Sequence, residues 1–387
     1  MANTLTGLIP TLYESLDVVS RELVGFIPNV TTDNSIDRAA LNQVVMSYAT
    51  PAVTASNIAP GVTAPNDGDQ VIGNIPITIS KSRYVPIRWS GEEQRGINTG
   101  PGAYKIMADQ FAQAFRTLVN EVETDLASLY KVASRAVGTA GTTPFGINGD
   151  ISDFSNARQV LEDNGAPTSA LKYVAGGAAI NNLRGKQAVL FRVNEAGTDQ
   201  LLRNGAVGEV GGLIVGNSAQ IKAVVKGTGA AYTTSGSALA VGTTVIPLIT
   251  GTGTVLAGDV VTFAGDTNKY VVNVGIAAPG SITIGAPGLR VAIPAAATAM
   301  TVGNSYTPNL AFAKTAIVLA TRIPATPLDV NGNAMDMADD RTIVVDPFSG
   351  LAFEVALYTQ YRQIKYEVAL AWGFAGVKPE HICVGMG

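Results

Sequence analysis

Near the start of the chain, apolar side chains recur at the spacing of an α-helix. The pattern covers residues 6 to 25, after which a glycine and a proline end it. One face of this amphipathic arm consists of Leu12, Leu16, Val19 and Leu23. The polar face carries Glu14, Asp17, Arg21 and Glu22. Such an arm is suited to docking on its own core or on a partner.

Residues 47 to 100 are broken by prolines and glycines, with alternating apolar positions between the breaks. Ile75, Ile77 and Ile79 form one alternation, and residues 84 to 89 form another, which predicts two strands of an extended hairpin. A two-stranded ribbon alone is marginally stable in water. We therefore expect the hairpin to lie on a neighbouring subunit, and the alternative is a long loop.

The longest periodic pattern runs over residues 102 to 137 and predicts a single helix. At 1.5 Å per residue it would span roughly 50 Å, long enough to form a spine across the molecule. Its apolar stripe consists of Tyr104, Met107, Phe111, Phe115, Leu118, Val122, Leu126, Leu129, Ala133 and Val137. Its charged face is predicted to carry Glu121, Glu123, Asp125, Lys131 and Arg135.

Mixed helix and strand patterns follow the spine over residues 150 to 226 and indicate an α/β or α+β layer. Helices are predicted over 155–164 and 177–184, and strands over 172–175, 213–215 and 221–225. After Pro308, an apolar run at 311–320 precedes predicted strands at 342–345, 351–361, 363–373 and 379–384.

The stretch 227 to 303 has a different composition, rich in Gly, Ala, Thr and Val with few charges. Turn residues separate short β-prone runs at spacings of about 8–12 residues, which predicts a small all-β barrel or sandwich. Because α/β-type segments flank it, we interpret it as an inserted domain. Its strands are predicted at 244–249, 260–263, 270–274, 281–284 and 289–293.

Composition points to extensive contacts between copies of the chain. Charged residues are only 14% of the 387 residues, against about 25% in a typical domain, and so little charge would leave a monomer poorly soluble. The alternative is a large β-rich protein with a small-residue surface. The net charge of −4 without a dense Lys/Arg cluster argues against direct nucleic-acid binding. We expect neither a signal peptide nor a membrane span.

Candidate chemistry is sparse, and no catalytic, cofactor or metal site is expected. His381 and Cys383 are the one histidine and the one cysteine, too few for a structural zinc site, and no signature of a thiol enzyme surrounds them. Residues 329–333 resemble the start of a calcium loop, but Ala334 stands where the turn favours Gly, so an Asn-Gly turn explains them better. No phosphate-binding glycine motif is present.

The order of these elements resembles the major coat protein family of P22-like tailed phages, whose fold is named after phage HK97. The most specific match is residues 256–265, LAGDVVTFAG, similar to the Gly-Asp-Val…Ala-Gly strand-turn of that family's inserted domain. Residues 309–322 resemble the segment that returns to the core, and 358–381 resemble the C-terminal strands. The chain is shorter than the best-known members, which puts in doubt the loops that their inserts use at subunit contacts.

This resemblance implies an α+β, HK97-like capsid fold with a long spine helix, an extended hairpin loop, peripheral and axial domains, and an inserted all-β domain. The implied parts are an N-terminal helical arm (1–46), the E-loop-like hairpin (47–100), the spine helix and peripheral domain (101–150), the first part of the axial domain (151–226), the inserted β-barrel (227–303) and the axial and peripheral return strands (304–387).

The function that the resemblance implies is that of a shell subunit of a virion. Pentamers and hexamers of the chain would form an icosahedral procapsid in the host cytoplasm, with a scaffolding protein inside, a portal at one vertex and a decoration protein as an optional partner. DNA would be enclosed without sequence-specific binding, and its entry would expand the shell. Glu14, Asp17 and Glu22 of the arm are candidate contacts with the scaffold or a neighbour.

Three alternatives stay open on the sequence. An encapsulin-type bacterial nanocompartment shares the fold but encloses cargo enzymes. A polysaccharide-acting β-rich enzyme needs aromatic platforms, and only 6% of the residues are aromatic. A phage decoration or tube protein is usually smaller and lacks so long a helix.

Overall fold

The structure, a computed structural model, describes residues 12, 16, 25–49, 55, 57–58, 60–62, 73–97, 103–187, 207–331, 335–347 and 349–387. Among the described residues from Gly25 onward, the α-helices are α1 (Gly91–Ile97), α2 (Ala103–Ala127), α3 (Ser152–Asp163) and α4 (Gly177–Lys186). The strands of the first half are β1 (Thr31–Ala39), β2 (Val44–Ala49), β3 (Gly73–Thr78), β4 (Lys81–Ser90), β5 (Arg135–Gly138), β6 (Leu171–Ala175), β7 (Glu209–Val210) and β8 (Leu213–Asn217).

The strands of the second half divide between the predicted insert and the C-terminal segment. Those of the predicted insert are β9 (Ala230–Thr234), β10 (Val245–Thr252), β11 (Val260–Phe263), β12 (Lys269–Val274), β13 (Ser281–Ile284) and β14 (Ala299–Val302). The remaining strands are β15 (Pro308–Ala313), β16 (Ile317–Pro324), β17 (Asp340–Val345), β18 (Ala352–Gln360), β19 (Gln363–Gly376) and β20 (Ile382–Met386).

The fourteen-residue strand β19 organises a six-stranded sheet. The start of β19 pairs with β18 and its end with β16, while β4 runs antiparallel along its other edge. The spine helix α2 packs on this sheet through edge-to-face ring pairs, Phe111 with Tyr366 at 5.5 Å and Phe115 with Phe353 at 5.1 Å between centroids. One continuous core therefore lies between the helix and the sheet.

The spine helix is shorter than the sequence pattern predicts, and its predicted end at residue 137 is wrong. It ends at Ala127, continues as a 3-10 turn over Ser128–Val132, and gives way to strand β5. Its 25 residues correspond to about 38 Å. The backbone of β5 pairs with β20 in parallel and with β12 in antiparallel, so tertiary pairing overrides a local pattern that is equally compatible with a helix.

The apolar run over residues 311–320 connects two sheets and is not one strand. Lys314–Ala316 form a 3-10 turn in its middle. Before the turn, β15 lies between β6 and β20 in a twelve-stranded sheet with all six of its residues buried. After the turn, β16 joins the six-stranded sheet. This explains the absence of alternation, because a strand covered on both faces is apolar on both.

The stretch 227–303 builds its own hydrophobic cluster, drawn entirely from residues between Tyr232 and Met300. The predicted strands at 260–263 and 281–284 are confirmed as β11 and β13, whereas 289–293 is not a strand and contributes only a bridge from Ile293 to Leu239. The segment 221–225 likewise reduces to a bridge from Val224 to Tyr306. The division of the chain into domains stays a prediction.

The strands that form the hairpin are not the two that the sequence predicts. Strands β2 and β3 pair with each other in a separate two-stranded sheet. Residues 84–89, predicted as the second strand of the hairpin, instead lie in β4 and pair with β19. Pro86 fits there because β4 is an edge strand, where a missing backbone N–H breaks no ladder.

Candidate subunit-contact surfaces

Near its base the β2–β3 hairpin is covered on one face and exposed on the other. Ile77 and Ile79 are buried in a cluster with Ala320 and Ala371 of the six-stranded sheet. Along β2, Val44 and Met46 are 43% and 54% exposed. The next described apolar residues beyond β2, Ile58 and Val62, are fully exposed. Within the described residues the hairpin thus presents apolar side chains that no other part of the chain covers.

Before Gly25 the N-terminal arm is described at two positions, Leu12 and Leu16, which are helical and fully buried. Their burial agrees with the predicted apolar stripe and places this face against the main core. The candidate scaffold contacts Glu14, Asp17 and Glu22 lie outside the described residues.

Where the arm joins the core, a buried carboxylate fixes the chain. The sequence pattern does not predict its burial. Glu123 was predicted on the charged face of the spine helix, but it is only 1% exposed. Its two oxygens accept the backbone N–H groups of Phe26 and Ile27 at 3.0 and 2.9 Å, and it also accepts the Ser218 hydroxyl at 3.0 Å. Glu123 therefore ties the start of a 3-10 turn to the spine.

The space around this carboxylate is tightly occupied. A Cβ on Gly25 would overlap a Glu123 oxygen and the side chain of Ser218. Burial raises the pKa of Glu123, although the hydrogen bonds from Ile27, Phe26 and Ser218 act in the opposite direction. A single-sequence pattern could not identify this role, because Ala114 and Val119 are buried beside the predicted stripe and make the buried face of the helix wider than that stripe.

The opposite side of the spine helix carries an ion-pair network. Lys81 of β4 contacts Asp125 at 2.9 Å and Glu121 at 3.0 Å, and the Trp372 indole N–H donates to Asp125 at 2.8 Å. Burial opposes the charge of Lys81, but hydrogen bonds to Asp125 and Glu121 outweigh it and raise the pKa of the lysine. These contacts connect the helix with β4 and β19, so they stiffen the spine against the sheet.

A second set of contacts fixes the turn at Gly258 and Asp259 of the predicted insert and places it against Tyr130, in the turn that follows the spine. The buried Asp259 accepts the backbone N–H groups of Gly227 and Leu256, the latter at 2.7 Å. The Tyr306 hydroxyl donates to the Gly258 carbonyl at 2.6 Å. Gly258 has a φ of +97°, and a Cβ there would overlap the ring of Tyr130. Spine and insert residues therefore meet in close contact at Gly258.

The residues singled out for chemistry are held in packing roles. Burial raises the pKa of the Cys383 thiol to about 12, which strongly disfavours the nucleophilic thiolate. The His381 Nε2 lies 3.3 Å from the Asn164 carbonyl oxygen. Asp329 accepts the Asn331 backbone N–H at 2.8 Å, as in an Asx turn, while Ala334 lies outside the described residues.

Within the part of the chain that the structure describes, no group of three or more His, Cys, Asp or Glu side chains is placed to hold a metal ion. None of its helices combines the length and the apolar character needed to cross a membrane.

Comparison with known proteins gives likenesses of structure and none of sequence. No family model and no curated protein matches the chain. The capsid of cyanophage P-SCSP1u has 10% identity and a TM-score of 0.48, over 94% of this chain and 88% of the other. A structure from Mycobacterium phage Che8 has 10% identity and a TM-score of 0.45, over 89% and 84%.

A virus-like particle from Pyrococcus furiosus has 9% identity and a TM-score of 0.44, over 97% of this chain and 98% of the other. At such identities and TM-scores these likenesses carry no argument about function. The functional proposal therefore rests on the chain's own residues.

Proposed function

We propose that this protein is the major capsid protein of a tailed double-stranded DNA bacteriophage, a non-enzymatic subunit that assembles into the icosahedral head shell. The single observation that carries this proposal is the β2–β3 hairpin. One face of it is buried at the base, while the apolar side chains on its other face and those beyond β2 are exposed. Because a two-stranded ribbon gains little stability alone, covering it with a second copy of the chain is the simplest way to bury this surface.

Other features support the same role. The spine helix is joined to the sheet by buried aromatic pairs and by the Lys81 network, so it is built as a stiff element. The low content of charged residues fits a surface that is largely buried between copies. The resemblance of residues 256–265 to the strand-turn of a phage coat insert agrees with this reading.

The proposal includes the assembly route that the resemblance implies. The chain forms pentamers and hexamers in the host cytoplasm around a scaffolding protein, with a portal at one vertex, and ends in the virion. A decoration protein is a further proposed partner. DNA is enclosed without sequence-specific binding, and its entry switches the shell between two packed arrangements of the same subunits. The residues 227–303 are proposed to stabilise contacts between capsomers.

The test is assembly of the full chain expressed in bacteria, with and without a candidate scaffolding protein, viewed by negative-stain electron microscopy. Closed shells tens of nanometres across are expected, and uniform size only with the scaffold. Uniform shells without any scaffold, formed around a cargo enzyme, would indicate the encapsulin-type alternative. A soluble monomer that forms neither shells nor sheets would overturn the proposal.

Charge reversal on the arm tests the proposed scaffold contact. Changing Glu14, Asp17 and Glu22 together to Lys is expected to abolish scaffold-dependent procapsid formation, because the polar face of the arm would then repel the surface that binds it. The measurement is the yield of closed particles after sucrose-gradient sedimentation. Reversing Glu92 and Glu93 of α1, which are exposed, is the control, and a normal yield from the arm variant would contradict the assignment.

A further inference from the structure

A polar recess lies at the junction between the core and the predicted insert. It has a volume of about 260 Å³ and is bounded by β5, by the outer face of α3 and by the turn that precedes β12. Side chains from all three elements line it. Those that carry polar groups include Arg135, Asn156, Gln159, Asp163, Thr267 and Lys269.

The charge balance of this recess is positive. Among the lining residues Asp163 is the one carboxylate, facing the cations Arg135 and Lys269. The same Asp163 oxygen lies 2.8 Å from Arg135 and 3.9 Å from a third cation, Arg290. A single carboxylate thus compensates two guanidinium groups, and within the described residues Lys269 donates to a neutral acceptor, the Gly138 carbonyl.

Arg135 is a buried cation in the wall of the recess. The sequence pattern predicted it on a charged solvent face, but it is only 6% exposed. Its Nη1 donates to Asn268 at 3.0 Å and its Nη2 to Asp163, whereas its buried Nε has no hydrogen-bond partner within the described residues. The buried Nε is out of reach of a ligand, but the guanidinium is fixed in the wall of the recess, where its positive charge favours an anion.

We propose that the recess binds a small tetrahedral oxyanion of the phosphate class. The charges of Arg135 and Lys269 attract the anion, and Asn156, Gln159 and Thr267 offer neutral donors around it. These groups come from three different elements and so can surround an anion from several sides, which suits a tetrahedral oxyanion better than a planar carboxylate. The bound anion links α3 and β5 to the turn before β12, and so strengthens the junction independently of any role in a shell.

The test uses the full chain and inorganic phosphate at constant ionic strength, with chloride as the reference anion. Isothermal titration calorimetry is expected to show saturable phosphate binding, and phosphate is expected to raise the thermal unfolding temperature above that in chloride, because a ligand of the native state stabilises it. Acetate at the same concentration is expected to bind more weakly. Absence of saturable binding, or acetate binding as tightly as phosphate, would overturn the proposal.

Two variants locate the site. Gln159→Glu places a negative charge on the exposed rim of the recess, and Lys269→Met removes a cation. Each is expected to weaken phosphate binding by about tenfold, the size of one lost charge-assisted interaction. The matched control is Gln113→Glu, the same substitution at an exposed position of the spine helix, which should bind phosphate like the parent. Equal binding by Gln159→Glu and Gln113→Glu would place the anion elsewhere and overturn the proposal.

Discussion

At the scale of single residues, Glu123 shows how a charged side chain fixes a chain segment. Its two carboxylate oxygens accept hydrogen bonds from the backbone N–H groups of Phe26 and Ile27 and from the Ser218 hydroxyl. Each of these donors is buried, so each would lose its partner if the carboxylate were removed. Glu123 therefore supplies the hydrogen-bonding partners at the point where the chain enters the core.

Replacing Glu123 by Ala is therefore expected to lower the free energy of unfolding by at least about 2 kcal/mol, because it leaves buried donors unpaired. Urea unfolding followed by circular dichroism is the measurement. The matched control is Glu121→Ala on the same helix, which removes partly exposed ion pairs to Lys81 and Arg83 and should cost less than about 1 kcal/mol. Equal losses from the two variants would contradict the anchoring role.

The buried carboxylate also predicts a pH dependence with a definite sign. Burial raises the pKa of Glu123 above its ordinary value of 4.5, so between these two pKa values the folded state binds more protons than the unfolded state. Its contribution to stability is present in full below pH 4.5 and is lost as the pH rises through the raised pKa.

Glu123→Gln cannot titrate, so the unfolding free energy of this variant should fall less steeply than that of the parent as the pH rises above 4.5. The measurement is a series of urea unfolding curves at closely spaced pH values. Parallel pH profiles for parent and variant would show that Glu123 has no raised pKa.

At the scale of elements, the end of the spine decides how the two cores meet. Ala127 closes the helix, the following 3-10 turn presents Tyr130, and Gly258 lies directly against its ring. The sequence pattern predicted the existence of the spine and most of its apolar stripe correctly. It could not predict the change to strand β5, since Ala133 and Val137 continue the helical spacing and only the partners β20 and β12 select the extended form.

Gly258→Ala is expected to destabilise the protein by more than about 2 kcal/mol, because the new methyl group overlaps Tyr130 and the backbone has a positive φ. The comparison is Gly265→Ala, where φ is also positive at +87° but no atom lies within 4 Å of the added carbon. Thermal unfolding of both variants separates the steric overlap from the backbone cost. Similar losses for both would show that the contact with Tyr130 is unimportant.

At the scale of the whole molecule, some features of the hydrophobic cores were predictable from the sequence and others were not. The compositional change at 227–303 predicted β structure, and the cluster between Tyr232 and Met300 is built from that stretch. Strands such as β9 and β14 were not predicted, because their small and polar residues become strands only by pairing with each other and with β10 and β11. The sequence did not predict the burial of Glu123 and Arg135 either, since a charged residue on a helical pattern is ordinarily exposed.

Substitutions on the exposed face of the hairpin are expected to affect assembly and not folding. Changing Val44 and Met46 of β2 to Ser is expected to leave the unfolding free energy within about 0.5 kcal/mol of the parent, because both side chains are already exposed. The yield of closed shells should nevertheless fall strongly, since an apolar contact with a second copy is lost. The control changes Ile147 and Val225, exposed apolar residues outside both the hairpin and the predicted insert, to Ser. A normal yield from the hairpin variant would remove the main support for the proposed function.

The pairing of β5 with β12 has a mechanical consequence. Only Arg135 and Ala136 pair with Tyr270 and Lys269 across this joint, whereas β15 and β20 pair along five successive positions. Under a stretching load the short ladder is expected to break before the long one. The pairing of β5 with β12 is therefore the weaker mechanical link of the two.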